Sequence, residues 1–258
     1  MRKITLLLIA CALSTITFAQ ESYNLMLSNA LKYVGTPYVA NTLEVTDEEE
    51  LIINGDELDC TTFVEFALAM SLCPEQGDDM QESDFAKNLQ NIRYRNGKIE
   101  GYTSRLHYAS DWAKDNVRMG IIEDITATYS PTKKKVTVSY MSTHPEQYKH
   151  LRNSPGNVNK IVAIERELSS QSFFYLPKDQ LPVEGLKWIK NGDIIMLTTD
   201  IPGLDVSHIG IAIYIKGNLH LLHASSKEGK VVVDKLSLNR QLARSKNQTG
   251  IRVFRLKK

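Results

Sequence analysis

The segment Ser207-His208-Ile209-Gly210-Ile211-Ala212-Ile213-Tyr214 restricts the fold more than any other stretch of the chain. Its β-branched residues recur at every second position, the period of a strand and not of a helix. Ile209, Ile211, Ile213 and Ile215 therefore share one face, which must be buried against another layer. The opposite face carries His208, Gly210, Ala212 and Tyr214, whose small members leave room for a helix end to approach the histidine. Gly217-Asn218 follows as a two-residue hairpin signal. Strand patterns also occur at Asp193 to Thr199, Leu219 to Ser225, Lys230 to Asp234 and Ile251 to Leu256. Lys235 to Gly250 reads as a polar connection, helical in part. The last third is thus predicted to be an antiparallel sheet.

Helices come first along the chain. Residues 22–34 place Tyr23, Met26, Leu27, Ala30, Leu31 and Val34 at helical spacing, with Gly35 suited to the position after the helix. Thr36-Pro37-Tyr38 is an extended turn, because the residue before proline is pushed out of the α region. Residues 41–57 are polar and acidic and read as a loop. Residues 60–72 form a second helix with a stripe of Phe63, Phe66, Ala67 and Met70. The middle, about 75–185, is mixed. It holds expected helices at 83–92, 108–118 and 157–168 and an expected strand at 134–142. Helices, a mixed insertion and then a sheet make an α+β fold in which the sheet packs on the 60–72 helix.

The chain has 258 residues, 42% hydrophobic and 24% charged, with a formal net charge of +1. That is enough for one sizeable core, and it gives no reason to expect a nucleic acid or membrane-surface partner. Met1-Arg2-Lys3 followed by the apolar run from Ile4 to Phe18 resembles a secretory leader, with Thr17-Phe18-Ala19 as its cleavage site. The apolar run is shorter than the ~20 residues a membrane span needs. Leu8-Ile9-Ala10-Cys11 resembles a lipoprotein box but would leave an apolar mature start. The expectation is therefore a leader over residues 1–19, a single domain over 20–258 and export to the periplasm, with no transmembrane segment in the mature chain.

Export sharpens the cysteine question. Of three cysteines, Cys11 leaves with the leader. If residues 60–73 are one helix, Cys60 and Cys73 lie about 20 Å apart at ~1.5 Å rise per residue. A disulfide needs roughly 4.4–6.8 Å between Cα atoms. Cys60 is then a free thiol in an oxidising compartment. It sits between a polar turn and the first turn of a helix, where the dipole and free N–H groups favour a thiolate.

A nucleophilic thiol needs a base. Six histidines are present, and His208 is best placed, at the head of the isoleucine strand. A third group should orient its imidazole. With Gly217-Asn218 closing the hairpin, Ala212 opposes His223, which puts His223 on the face of His208 and His220 on the other. In this register the two histidines are four residues out of step, about 13 Å at ~3.3 Å per residue. A bulge, strong twist or different loop must shorten that gap, or another residue orients His208. His144 and His150 lack metal-ligand spacing, so neither a metal nor another cofactor is expected.

Gly35-Thr36-Pro37-Tyr38, Asp59-Cys60-Thr61-Thr62-Phe63-Val64, Gly192-Asp193-Ile194, Ser207-His208-Ile209-Gly210-Ile211 and His223-Ala224-Ser225 occur in that order. This resembles the NlpC-type cell-wall cysteine peptidases and amidases, a papain-like group. The resemblance covers about 22–72 and 186–256 and leaves the insertion outside. It implies Cys60 as nucleophile, His208 as base, His223 as the orienting residue and Tyr38 in the active-site wall; Asp59 and Thr61, on either side of the cysteine, are expected to contact substrate with Tyr38. Two departures stand out. Thr61-Thr62 replaces the usual Ser-Gly, and about 150 residues separate the cysteine and histidine motifs. Together with Arg105-Leu106-His107-Tyr108-Ala109-Ser110-Asp111-Trp112, they resemble the branch of N-acetylmuramoyl-L-alanine amidases acting on peptidoglycan fragments.

In that segment Arg105 can clamp a carboxylate, Trp112 can stack on a sugar, and His107 and Asp111 can bond hydroxyls or amides. At helical spacing Arg105, Tyr108 and Trp112 fall near one face, as do His107 and Asp111. The competing reading is a surface helix with Trp112 in the core. The expected activity is hydrolysis of the amide between the lactyl group of N-acetylmuramic acid and L-alanine in a muropeptide. The alternatives are a γ-D-glutamyl-diaminopimelate endopeptidase and a wall-binding module without catalysis.

Overall fold

The computed structural model describes residues 25–257. The leader-like segment, Cys11 and the start of the first helix lie outside them. Helix α1 covers residues 25–31. It is followed by α2 (Cys60–Ser71), α3 (Glu82–Arg93), α4 (Ala109–Arg118), strand β1 (Ile122–Asp124), α5 (Ile125–Tyr129) and β2 (Lys133–Lys135). Next come α6 (Tyr140–Thr143), α7 (Pro155–Ser169), β3 (Ser172–Phe174) and β4 (Leu176–Pro177). The chain closes with β5 (Ile194–Thr199), β6 (Val206–Ile215), β7 (Asn218–Ser225), β8 (Lys230–Val233), α8 (Leu238–Arg244) and β9 (Gln248–Leu256).

One mixed α+β layering results. The main sheet runs β1-β9-β5-β6-β7-β8, with β4 also on β9. Each of its pairings is antiparallel. Phe63, Val64, Ala67 and Leu68 of α2 form one core with Ile194, Met196, Ile209, Ile211, Leu222 and Ala224. On the reverse of the sheet, Ile195, Leu197, Ala212, Leu221 and Val253 form a second core with Leu238 and Leu242 of α8. Cover on both faces explains why β5 is buried at every position.

Helix α2 starts where its sequence says it should. Asp59 Oδ1 accepts the Thr61 and Thr62 N–H groups at 2.9 and 2.8 Å, and Thr62 Oγ1 accepts the Asp59 N–H at 2.9 Å. This reciprocal cap satisfies donors that the helix leaves open. It fixes the thiol of Cys60 at the first helical position.

Three expectations change. The isoleucine face of β6 is the face that α2 covers, so the helix does not approach over Gly210 and Ala212. The bare side of Gly210 is filled from the neighbouring strand: a Cβ there would lie 2.8 Å from Leu222 O and 2.9 Å from His223 Cβ. The hairpin turn is Lys216-Gly217, with φ of 49° and 81°, and Ile215 opposes Asn218. Two positive φ values match the twist of the strands, and glycine takes the second. Moving the turn by one residue slides the register by two and preserves parity, so Ala212 opposes Leu221 rather than His223. The strand expected at 134–142 stops at Lys135. The Val138 N–H donates to Ser169 Oγ at 2.8 Å, and Val138 and Met141 enter a third core with Tyr102, Tyr108, Leu151 and Ile161.

The insertion is woven into this framework. Phe85, Leu89 and Ile92 of α3 and Trp112 and Ala113 of α4 share the core of α2. β1 and β4 extend the sheet through β9. Among the described residues, no helix is long and apolar enough to cross a membrane.

Candidate active site

Cys60, Thr61, His107, Trp112, Asp205 and His208 line one cleft of about 190 Å³, joined by Tyr108, Met141 and Tyr148 of the insertion. The helix cap sets the position of Cys60, and the head of β6 sets that of His208. Between them, Asp205 holds the wall together. Its Oδ2 accepts the Ser110 N–H at 2.7 Å and its Oδ1 the Val206 N–H at 2.8 Å, tying the start of α4 to the start of β6.

The corrected hairpin register resolves the histidine gap. With Ile211 opposite Leu222, His223 faces Gly210 and stands two residues, not four, from His208. Diagonal neighbours on one face are within reach of long side chains. His208 Nε2 and His223 Nδ1 are 2.6 Å apart, with the rings at 89°.

Tyr38 comes to the cysteine through backbone pairing. The Gly35 N–H donates to Val231 O at 2.9 Å, the Tyr38 N–H to Gly229 O at 2.9 Å, and the Leu58 N–H to Pro37 O at 3.0 Å. The phenol titrates above its ordinary range because of burial first, then the nearby Cys60 and Asp59. Asp59 itself is spent on the helix cap.

The electrostatics of the resting site differ from the sequence expectation. Burial, followed by the Asp59 charge, pushes the Cys60 thiol up to about 12. Hydrogen bonds from the Ile209 backbone, the Thr61 side chain and the cysteine's own backbone act in the opposite direction and are outweighed. Burial, then His223, lowers His208 to about 3. Near neutral pH the pair is therefore a thiol beside a neutral imidazole. Desolvation of the charged form outweighs the hydrogen bonds that favour it, so the thiol stays protonated in the resting site.

Of the residues expected to bind substrate, Tyr38 and Asp59 adjoin Cys60 without lining the cleft, and two more, Arg105 and Asp111, are elsewhere. Arg105 is buried, ion-paired to Glu44 and at 3.3 Å to Glu49, and lies over the Tyr102 ring. Asp111 is buried against Arg95, with Oδ1 accepting from NH1 at 3.0 Å. Neither lines the cleft. The helical-face argument failed because α4 begins at Ala109, and Arg105 is extended with ψ 137°. Trp112 is 2% exposed and belongs to the core, so it forms the cleft wall rather than an open stacking platform. His107 does line the cleft. Its Nε2–H donates to Tyr102 O at 2.9 Å, leaving Nδ1 as an acceptor, and burial followed by Arg105 lowers it to about 3.

Sequence reasoning missed Asp205, Met141 and Tyr148. Asp205 had a usable signal, an acidic residue three positions before His208 at the strand entry. Met141 and Tyr148 had none, since their places depend on how the insertion folds back. Cys60 and Cys73 are both free thiols. Among the described residues, no group of three or more His, Cys, Asp or Glu side chains could hold a metal ion.

The model of the AmiA-like family, N-acetylmuramoyl-L-alanine amidase-like, matches residues 28–251. The chain belongs to this family. A Bacteroides uniformis ATCC 8492 crystal structure described as an N-acetylmuramoyl-L-alanine amidase is 56% identical, with a TM-score of 0.89 over 90% of this chain and 99% of that one. A Bacteroides fragilis protein described as a proposed xylanase is 66% identical, with a TM-score of 0.87 over 89% of this chain and 100% of that one. A Legionella pneumophila protein at 22% identity shares the fold, with a TM-score of 0.65 over 92% and 89% of the two chains. No curated protein matches the chain. The cleft does not suit a xylan-type reaction. Glycoside hydrolysis usually takes a pair of carboxyl groups flanking the bond. Here Asp205 is the sole acid in the cleft wall, and both its oxygens are occupied by backbone N–H groups.

Proposed function

We propose that the protein is a papain-like cysteine amidase that hydrolyses the bond between the lactyl carbonyl of N-acetylmuramic acid and L-alanine. The observation that carries this reading is that Cys60 and His208 line one cleft, with His223 in contact with His208 from behind, in a member of the amidase-like family. With His208 Nε2 engaged by His223, Nδ1 is the atom left to take the thiol proton. As that proton moves to Nδ1, Sγ attacks the lactyl carbonyl carbon. The Cys60 N–H is the first donor to the oxyanion.

Collapse of the tetrahedral intermediate breaks the C–N bond, and His208 returns the proton to the departing alanine amine. Water, deprotonated by His208, then attacks the thioester and releases the muramic acid carboxylate and the thiol. A thiol and imidazole that begin neutral suit this route, since charge forms only when the substrate carbonyl is in place.

A cleft of about 190 Å³ encloses the reacting end of a muropeptide rather than the whole ligand. The leader-like residues 1–19 support placing the enzyme in the periplasm, where such fragments arise. Cys60→Ala tests the nucleophile. Turnover of a defined muropeptide is expected to fall by about three orders of magnitude or more while binding persists. Unchanged turnover would leave the thiol without a role, and turnover that is absent from the parent as well would favour a wall-binding module.

A further inference from the structure

His223 Nε2 is buried and has no hydrogen-bond partner. The acid that faces it is Asp234, whose Oδ2 is 3.8 Å away. Asp234 follows the end of β8 and is firmly seated. Its N–H donates to Leu221 O at 2.8 Å, its Oδ1 accepts the Leu236 N–H at 2.9 Å, and its Oδ2 accepts from Gln241 Nε2. A cavity of about 740 Å³ lies on this side, and His208 is the one wall residue it shares with the cysteine cleft. The gap from Asp234 Oδ2 to His223 Nε2 exceeds an ordinary hydrogen bond by about 1 Å.

Proton placement then follows from chemistry. A lone pair on Nε2 facing a carboxylate would be repulsive, so the proton of His223 belongs on Nε2. Its Nδ1 is then an acceptor and receives Nε2–H from His208. That leaves a lone pair on His208 Nδ1, the form a base must have. The reverse arrangement would put a proton on His208 Nδ1 and disable it.

We propose that Asp234 is a positioning residue, accepting Nε2–H of His223 and so fixing the tautomers of both histidines with His208 Nδ1 free to take the thiol proton. The proposal rests on reading Cys60 and His208 as nucleophile and base. No proton passes to Asp234: the thiol proton stops on His208 Nδ1, and the carboxylate stabilises the resulting imidazolium across His223. Glu228 also faces His223 electrostatically. Lys227, Lys230, Lys235 and Arg244 line the cavity behind it, so its surroundings are not uniformly acidic.

The test uses the full chain with Asp234→Asn, Asp234→Ser and Asp234→Glu. Asp234→Asn can turn an N–H toward Nε2 and reverse both tautomers. Asp234→Ser keeps an acceptor for the Leu236 N–H, so the turn survives. Iodoacetamide alkylation of Cys60, located by peptide mass because Cys73 is also a free thiol, is followed from about pH 5 to 9 together with muropeptide hydrolysis. Asp234→Asn and Asp234→Ser are expected to slow alkylation near neutrality by roughly tenfold or more, and to lower kcat with KM retained. Asp234→Glu is expected to recover most of the loss.

Alkylation profiles of both carboxylate-free variants that overlay the parent would overturn the proposal, whatever the substrate. A parent that leaves the muropeptide intact while its alkylation depends on Asp234 would instead remove the amidase reading and leave this one standing.

Discussion

Gly210 decides whether the two histidines can meet. A methyl group at this position would sit 2.8 Å from Leu222 O and 2.9 Å from His223 Cβ, closer than real Cβ contacts allow. Both atoms are fixed to the backbone of β7, so that strand must move and carry the His223 ring with it. Gly210→Ala should therefore destabilise the protein by about 1–3 kcal/mol, as overpacking does. It should lower turnover by at least about tenfold, because small misplacements at the chemistry are costly. Thermal melting and kcat on one preparation check both. A variant with normal kcat would show that the pair tolerates displacement.

Buried imidazoles, His223 among them, give the protein an acid-sensitive stability. His208 and His107 are held neutral, each lowered from 6.5 to about 3, chiefly by burial. The unfolded chain takes up these protons near 6.5 while the folded chain resists. Between those limits the unfolded state binds more protons, so stability rises with pH there. The contribution is complete above about 6.5 and is lost as pH falls toward about 3. Melting midpoints should be level from about pH 8 to 7 and decline below 6.5. A midpoint unchanged down to about pH 4 would contradict neutral burial of these rings.

At the scale of elements, helix α2, which carries Cys60, is anchored by an internal ion pair. Glu65 on α2 and Arg93 at the end of α3 meet at 2.7 Å, exposed by only 3% and 1%. Arg93 NH1 also donates to Ile52 O at 2.6 Å, which fastens the loop ahead of α2. Removing one partner of such a pair strands a buried charge. Arg93→Leu should cost about 3–5 kcal/mol, and adding Glu65→Leu should restore part of it. Denaturant unfolding of both variants checks the cycle. An additive double variant would mean the pair carries no coupling.

The elements also show what could be read in advance. The start of α2 at Cys60 was legible in the polar turn followed by an apolar helical run, and β6 in its isoleucine alternation, because both depend on local chemistry. The His208–His223 contact was legible in parity but not in register. One residue's ambiguity in placing the turn around Gly217 moved His223 by two positions. Arg105 was misplaced because helical spacing was carried back four residues ahead of α4, whereas Asp111 is on α4 but is turned to Arg95. Their partners Glu44, Glu49 and Arg95 are distant in sequence or chemically unremarkable, so no periodicity reveals them. Asp234 lacked a signal because its role appears only once β7 and β8 are paired.

Across the whole molecule, the insertion completes the cleft that the helix and sheet begin. Cys60 and His208 come from the two ends of the fold. Leu106, His107, Tyr108, Trp112, Met141 and Tyr148 come from the segment between them. Because α3 and α4 share the core of α2, that wall is packed together with the helix that carries Cys60 rather than appended to it. A preformed wall of this kind favours selection of one amide over another along the same stem, which is why the bond cleaved is the central claim. It is tested by incubating the full chain with one defined muropeptide and weighing the products. The account predicts the free sugar, carrying a new lactyl carboxylate, together with the intact peptide. A shortened stem still attached to the sugar would contradict it and point to cleavage after γ-D-glutamate.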